Sequence, residues 1–164
     1  MKKLIILALA ALTLAACGNK QETKNNENMK QELNLTQEWD KVFPLSDKVN
    51  HRKVTFVTQY GLTLAADLYE PKGAVGPLPA IAVSGPFGAV KEQCSGLYAQ
   101  SMAERGFLTL AFDPSFTGES SGTPRRTASP DINTEDFLAA VDYLSSLYRQ
   151  LCTAAADDGS GDGL

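Results

Sequence analysis

Ala80 to Gly122 (AIAVSGPFGAVKEQCSGLYAQSMAERGFLTLAFDPSFTGESSG) constrains the fold more than any other stretch of this chain. Ala80 to Ser84 is a short apolar run with the length and β-branched content of a buried strand. Ser84-Gly85-Pro86-Phe87-Gly88 carries turn chemistry, with glycines free to take positive φ and a proline that fixes it. From Ser95 to Arg105, Leu97, Tyr98, Ala99, Met102 and Ala103 recur near helical spacing, and Gly106 suits the position just past a helix. Phe107 to Phe112 is a second apolar run, broken only by Thr109. Two largely apolar strands joined by a helix predict a βαβ unit in a parallel sheet covered on both faces. In such sheets ligands gather beyond the C-terminal ends of the strands, here the two glycine-rich loops.

Before that unit, Arg52 to Thr58 and Leu62 to Tyr69 read as a hairpin around Tyr60-Gly61. Leu64, Ala66 and Leu68 alternate with Ala65, Asp67 and Tyr69, as in a sheet with one wetter face. After it, Thr123 to Ile132 carries Pro124 and Pro130 and reads as loop. Asn133 or Thr134 can cap a helix with Glu135 and Asp136 in its first turn, and Phe137, Leu138, Val141, Leu144 and Tyr148 form its apolar stripe. The order is hairpin, then β-α-β, then helix.

At 164 residues, one domain is expected. A net charge of −4 and scattered basic residues exclude a general nucleic-acid footprint. Met1-Lys2-Lys3 is a basic n-region and Leu4 to Leu14 an apolar core too short to span a bilayer. Leu14-Ala15-Ala16-Cys17 follows, and it resembles the lipobox of bacterial lipoproteins. Cys17 is therefore the expected lipidation site, with residues 1–16 a signal peptide; an ordinary secretory signal is the other reading. The expected location is the periplasmic or cell-surface side of a bacterial envelope, with the membrane as partner through the anchor. Residues 17–50 read as a flexible tether and a lead-in to the domain, polar and Asn/Gln-rich at first. Cys94 and Cys152 read as unpaired. No His/Cys cluster has metal-ligand spacing, and neither metal nor cofactor is expected.

Taken together, SGPFGAVKEQ, LYAQSMAERGFLTLAFDPSFTGESSGTPRR and DFLAAVDYL resemble the α/β-hydrolase superfamily, most closely its dienelactone-hydrolase-like and peptidase-S15-like branches. The resemblance covers residues 51–147 and implies an α/β fold, the N-terminal half of an α/β-hydrolase sheet. It implies that the turn Gly85-Pro86-Phe87-Gly88 helps to form an oxyanion hole. Pro86 has no N–H, so Phe87 and Gly88 are the candidate backbone donors. Lys91 and Glu92 read as structural, with a substrate contact as the other possibility.

Gly118-Glu119-Ser120-Ser121-Gly122 matches G-x-S-x-G literally. A nucleophile elbow, however, joins a strand directly to a helix, whereas Phe112 lies well before Ser120 and Thr123-Pro124 follows it. Ser120 is read as a loop serine and Asp113 as a residue that ties down its own loop. His51, the only histidine, precedes the first predicted strand and is not expected to serve as a catalytic base. The expected function is a lipid-anchored hydrolase acting on small esters or peptides, with this chain inactive for want of nucleophile, acid and base. A truncated or frame-shifted copy is expected, with residues 148–164 a disordered or non-native tail and Ala80 to Ser84 left as a sheet edge. The alternatives are a non-catalytic surface lipoprotein that binds a ligand or partner through a small α/β domain and, more weakly, a flavodoxin-like fold.

Overall fold

The structure, a computed structural model, describes residues 31–157. Residues 1–30, on which the expected signal peptide, Cys17 and the first part of the expected tether fall, and residues 158–164 lie outside the described residues. Four strands form one mixed sheet: β1 (Val49–Val57), β2 (Thr63–Pro71), β3 (Ala80–Val83) and β4 (Leu108–Phe112), in the order β1-β2-β4-β3. β1 and β2 are the expected antiparallel hairpin, with Phe56 opposite Leu64 and His51 opposite Tyr69. β2 runs antiparallel to β4, and β4 runs parallel to β3. Helix α1 (Cys94–Ala103) makes the crossover between the parallel pair, and α2 (Pro130–Asp157) covers the other face. Among the described residues no helix is long and apolar enough to cross a membrane.

The side-chain period of two sorts the strands into two faces. Val54, Phe56, Leu64, Ala66, Leu68, Leu108, Leu110 and Phe112 face α2 and pack with Ala140 and Leu144. Each such Leu or Phe contributes about 1.5–3 kcal/mol by leaving water. The opposite face holds Val49, Tyr69 and Ala111 against Ala99 and Ala103 of α1. It is not the wetter face expected: Ala65, Asp67 and Tyr69 are all fully buried. The lead-in segment and α1 cover it: Asp67 Oδ1 is met inside the protein by His51 and Lys41, whereas Asp67 Oδ2 and the Tyr69 hydroxyl are buried with no hydrogen-bond partner among the described residues. Lys41 from the lead-in reaches Asp67 at 3.1 Å, and Trp39 donates its indole N–H to the Phe43 carbonyl.

Each helix buries only part of the apolar set the sequence suggested, Ala99 and Ala103 in α1 and Leu144 in α2. In α1, Leu97 and Tyr98 are exposed, while Ala99 and Ala103 pack against the sheet, Gly96 lies against the Phe43 ring and Gln100 bonds the Pro44 carbonyl and the Ser46 N–H of the lead-in. Small residues let the helix approach closely, and apolar spacing hid that choice. In α2, Leu138, Val141 and Tyr148 stay about half exposed, while Ala139, Ala140 and Leu144 are buried. α2 also begins earlier, at Pro130, a proline at a first-turn position where its missing N–H costs nothing. The Asn133 N–H therefore bonds the Ser129 carbonyl inside the first turns, and Asn133 caps nothing. α2 continues past Tyr148 to Asp157, through the first residues of the segment expected as tail.

β3 is the outermost strand and pairs with β4 alone among the described residues. Ala80 is exposed and Ile81, Ala82 and Val83 are only partly buried. A cavity of about 450 Å³ lies beside this edge, between Leu78, Ala80 and Ala82 and the Val141, Leu144 and Tyr148 side of α2.

Candidate active-site face

The two glycine-rich loops meet beyond the C-terminal ends of β3 and β4, and a buried ion cluster joins them. Lys91 follows the β3 turn; Asp113 follows β4. The Lys91 ammonium donates to Asp113 Oδ2 at 2.9 Å and to Glu119 Oε2 at 2.7 Å, and also to Glu92. The Lys91 backbone N–H donates to the other Asp113 oxygen at 2.8 Å, and the Glu119 N–H to Oδ2 at 2.9 Å. Asp113 thus holds both loops at once. Burial would lower the Lys91 pKa, but the Asp113 charge with the Glu119 and Glu92 hydrogen bonds outweighs it and raises it.

Lys53 on β1 extends the cluster, donating to Glu119 at 2.8 Å and Asp40 at 2.9 Å. Burial pushes the Glu119 carboxyl up, but hydrogen bonds from Lys53, Lys91 and the Thr36 N–H pull it down to about 2. Asp40, likewise pushed up by burial, is brought down to about 2 by Lys41 and Lys53. Oxygens of Asp40, Glu92 and Glu119 lie within 4.8 Å of one another, a spacing that could suit a cation. Two lysine ammoniums already stand among them, so the positive charge comes from the chain itself.

Ser120 is 2% exposed. Its hydroxyl donates to the Asp113 carbonyl at 2.7 Å and accepts the Ala65 N–H at 2.9 Å. Ser121 repeats the device, accepting the Thr63 N–H at 2.8 Å. Both serines stitch the loop to the start of β2, and no helix begins until Pro130. Gly118 sits at φ 51° with the Asp113 carboxylate where a Cβ would be, so the approach of the carboxylate requires glycine there. Arg125 donates to the Gly118 and Ser120 carbonyls and locks the outer rim. Asp136, on the second turn of α2 and not its first, accepts the Ser115 N–H at 2.9 Å and the Ser115 hydroxyl at 2.6 Å.

His51 lies inside β1, not before the first strand. Its Nε2 is 2.8 Å from Asp67 Oδ1, and its ring packs between Trp39 and Tyr69. This His–Asp pair sits on the face covered by α1, and among the described residues no serine or cysteine is bonded to it. Cys94 is free and exposed.

Phe87 and Gly88 stand at the outer bend of the β3 turn, both exposed. The neighbouring amides are used: Ala89 bonds the Pro86 carbonyl at 2.9 Å, Val90 the Gln93 side chain and Lys91 Asp113. Among the described residues the Phe87 and Gly88 N–H groups have no acceptor. Phe87 and Gly88 line a cavity of about 530 Å³ whose other wall includes Phe116, Thr117, Arg125 and Arg126 of the second loop.

A hairpin, a right-hand neighbour antiparallel to it and a parallel βαβ edge make this the N-terminal portion of an α/β-hydrolase fold. No family model matches the chain. Among particular proteins it is similar to the uncharacterized protein PA2218 of Pseudomonas aeruginosa, 64% identical over 87% of this chain and 39% of that protein. The crystal structure of PA2218 superimposes with a TM-score of 0.69 over 71% of this chain and 36% of that one. The α/β hydrolase GrgF from Penicillium superimposes with a TM-score of 0.51 at 31% identity, over 57% of this chain and 32% of that one. The thiohydrolase aneE of Aspergillus aculeatus is 35% identical over 60% of this chain and 30% of that protein. The chain thus spans about two fifths of the length of PA2218, and less of the others.

Proposed function

We propose that this chain carries the oxyanion-binding part of an acyl-transfer hydrolase, acting on esters, thioesters or peptides in the manner of the dienelactone-hydrolase-like and peptidase-S15-like branches. The observation that carries the reading is the pair of N–H groups at Phe87 and Gly88, which have no acceptor among the described residues and belong to two residues that line a cavity between the loops. Preorganised backbone donors of this kind stabilise a tetrahedral oxyanion by several kcal/mol, about 3–4 for a single donor in a well-studied protease. The Lys91–Asp113 contact keeps the turn in place, and hydrolase and thiohydrolase relatives support the reaction class.

The described residues supply the oxyanion donors but no nucleophile or base. Ser120 is committed to the backbone and His51 to Asp67. The 164-residue chain by itself is therefore expected not to turn over esters. Anchoring through a lipidated Cys17 on the outer side of a bacterial membrane belongs to the same proposal, on the strength of the Leu14-Ala15-Ala16-Cys17 sequence.

Two measurements test it. Titrating acetate, the simplest acyl product, into the ¹⁵N-labelled chain is expected to move the Phe87 or Gly88 amide signals downfield and saturably. No movement at either overturns the oxyanion assignment. With p-nitrophenyl acetate no turnover is expected; turnover lost in Ser120→Ala would make Ser120 the nucleophile and overturn its structural role.

A further inference from the structure

We infer that the cavity between the two loops is a binding site for a phosphate monoester carrying an apolar or aromatic body. The chain as a whole carries −4, yet the charged side chains lining this cavity are Arg125 and Arg126, with no carboxylate among them. Glu119, the nearest acid in sequence, is turned to Lys53, Lys91 and the Thr36 N–H. A pocket with two positive charges in an acidic protein selects for a dianion, and a phosphate monoester at neutral pH approaches that charge.

The donors are also arranged for an anion with several acceptor oxygens. Arg125 is held in place by its bonds to the Gly118, Ser120 and Gly122 carbonyls, and a guanidinium has five N–H donors, so some remain. Arg126 makes no side-chain hydrogen bond or ion pair among the described residues. Its backbone is nonetheless fixed: φ is 61°, and its N–H bonds the Phe116 carbonyl at 2.9 Å. Phe116 is itself left-handed at φ 69°, with its ring laid on Gly122 where a Cβ would collide. Two non-glycine residues in that region, ten positions apart and joined by a main-chain hydrogen bond, are a strained arrangement, and such strain concentrates at ligand sites. Add the Thr117 hydroxyl and the free Phe87 and Gly88 N–H groups, and a phosphate finds more donors than a carboxylate would need. Phe87, 77% exposed, and the Phe116 ring supply apolar walls for the rest of the ligand.

The site goes beyond the oxyanion reading and shares only the Phe87–Gly88 turn with it. Phenyl phosphate, inorganic phosphate, phenylacetate and benzyl alcohol are titrated into the ¹⁵N-labelled chain at low salt. Phenyl phosphate is expected to move the Phe87, Thr117 and Arg126 amides saturably, at least tenfold tighter than inorganic phosphate or phenylacetate, with benzyl alcohol inert. Arg126→Gly, which relieves the left-handed backbone while removing the charge, is expected to weaken phenyl phosphate at least tenfold with no loss of thermal stability. Arg126→Lys should recover part of the affinity, and Phe87→Ala should bring phenyl phosphate toward inorganic phosphate. Equal binding of phenylacetate, or an unchanged affinity in Arg126→Gly, overturns the inference. Acetate shifts without phenyl phosphate binding overturn it while leaving the oxyanion reading intact. Phenyl phosphate binding without acetate shifts does the reverse.

Discussion

Lys91 and Asp113, twenty-two residues apart, meet 2.9 Å apart with neither side chain exposed to solvent. One follows the turn after β3 and the other comes directly after β4, so this contact, not the strand pairing, fixes how the two loops face each other.

Lys91→Met removes the cation but keeps most of the volume. It leaves Asp113 and Glu119 as buried carboxylates short of a partner, and breaking a buried pair in this way costs about 3–5 kcal/mol. Urea unfolding followed by the fluorescence of Trp39, the single tryptophan, measures it; a loss under about 1 kcal/mol would mean the contact is not structural.

Ser120→Ala strands the Ala65 N–H and frees the Asp113 carbonyl. The expected cost is about 1–3 kcal/mol, the penalty for a buried group left unbonded. The same unfolding experiment reads it, and Ser121→Ala, which exposes the Thr63 N–H to the same fate, should cost a similar amount.

Acid should loosen the cluster before it unfolds the core. Glu119 and Asp40 stand near 2 when folded, against 4.5 and 3.8 ordinarily. A lowered folded value means stability present above the unfolded value and lost as pH falls through the folded one. Stability should therefore decline as pH falls from about 4.5 to about 2. Lys53 and Lys91 are raised, so their share is present below 10.5 and lost as pH rises beyond it. Urea midpoints across the acid range test this, and Glu119→Gln should flatten the slope.

Gly118→Ala puts a methyl where the Asp113 carboxylate lies and forces a left-handed backbone on alanine. A loss above about 1 kcal/mol is expected. Because the collision falls on Asp113, the double variant with Lys91→Met should lose less than the two single losses combined.

The strands could be read in the sequence because their signal is local: Leu64, Ala66 and Leu68 alternate, and Leu108 to Phe112 is a bounded apolar run. The order of chain elements followed, and with it the β3–β4 parallel pair. Helix faces could not be read that way. Leu97, Tyr98, Leu138 and Val141 have apolar spacing but look outward, while Ala99, Ala103 and Ala140 do the packing because small size brings a helix close to a sheet. The buried polar layer was hidden too. Nothing near Asp67 in sequence announces that Lys41 and His51 converge on it, because that pairing depends on the lead-in segment folding back. At the site, Phe87 and Gly88 were singled out only through the resemblance to hydrolases, while the missing helix after Ser120 marked that serine as a loop residue. The pairing of Lys91 with Asp113 had no sequence signal beyond their places after consecutive parallel strands, and Arg126 beside Phe116 had none.

The open side of β3 has one more consequence. Its main-chain donors and acceptors on that flank are met by no other strand among the described residues, and Ala80, Ile81, Ala82 and Val83 bring neither charge nor proline to discourage a visitor. Molecules of this chain should accordingly stick margin to margin as they crowd, so that scattered light per unit mass climbs with concentration while the far-ultraviolet spectrum gains strand content.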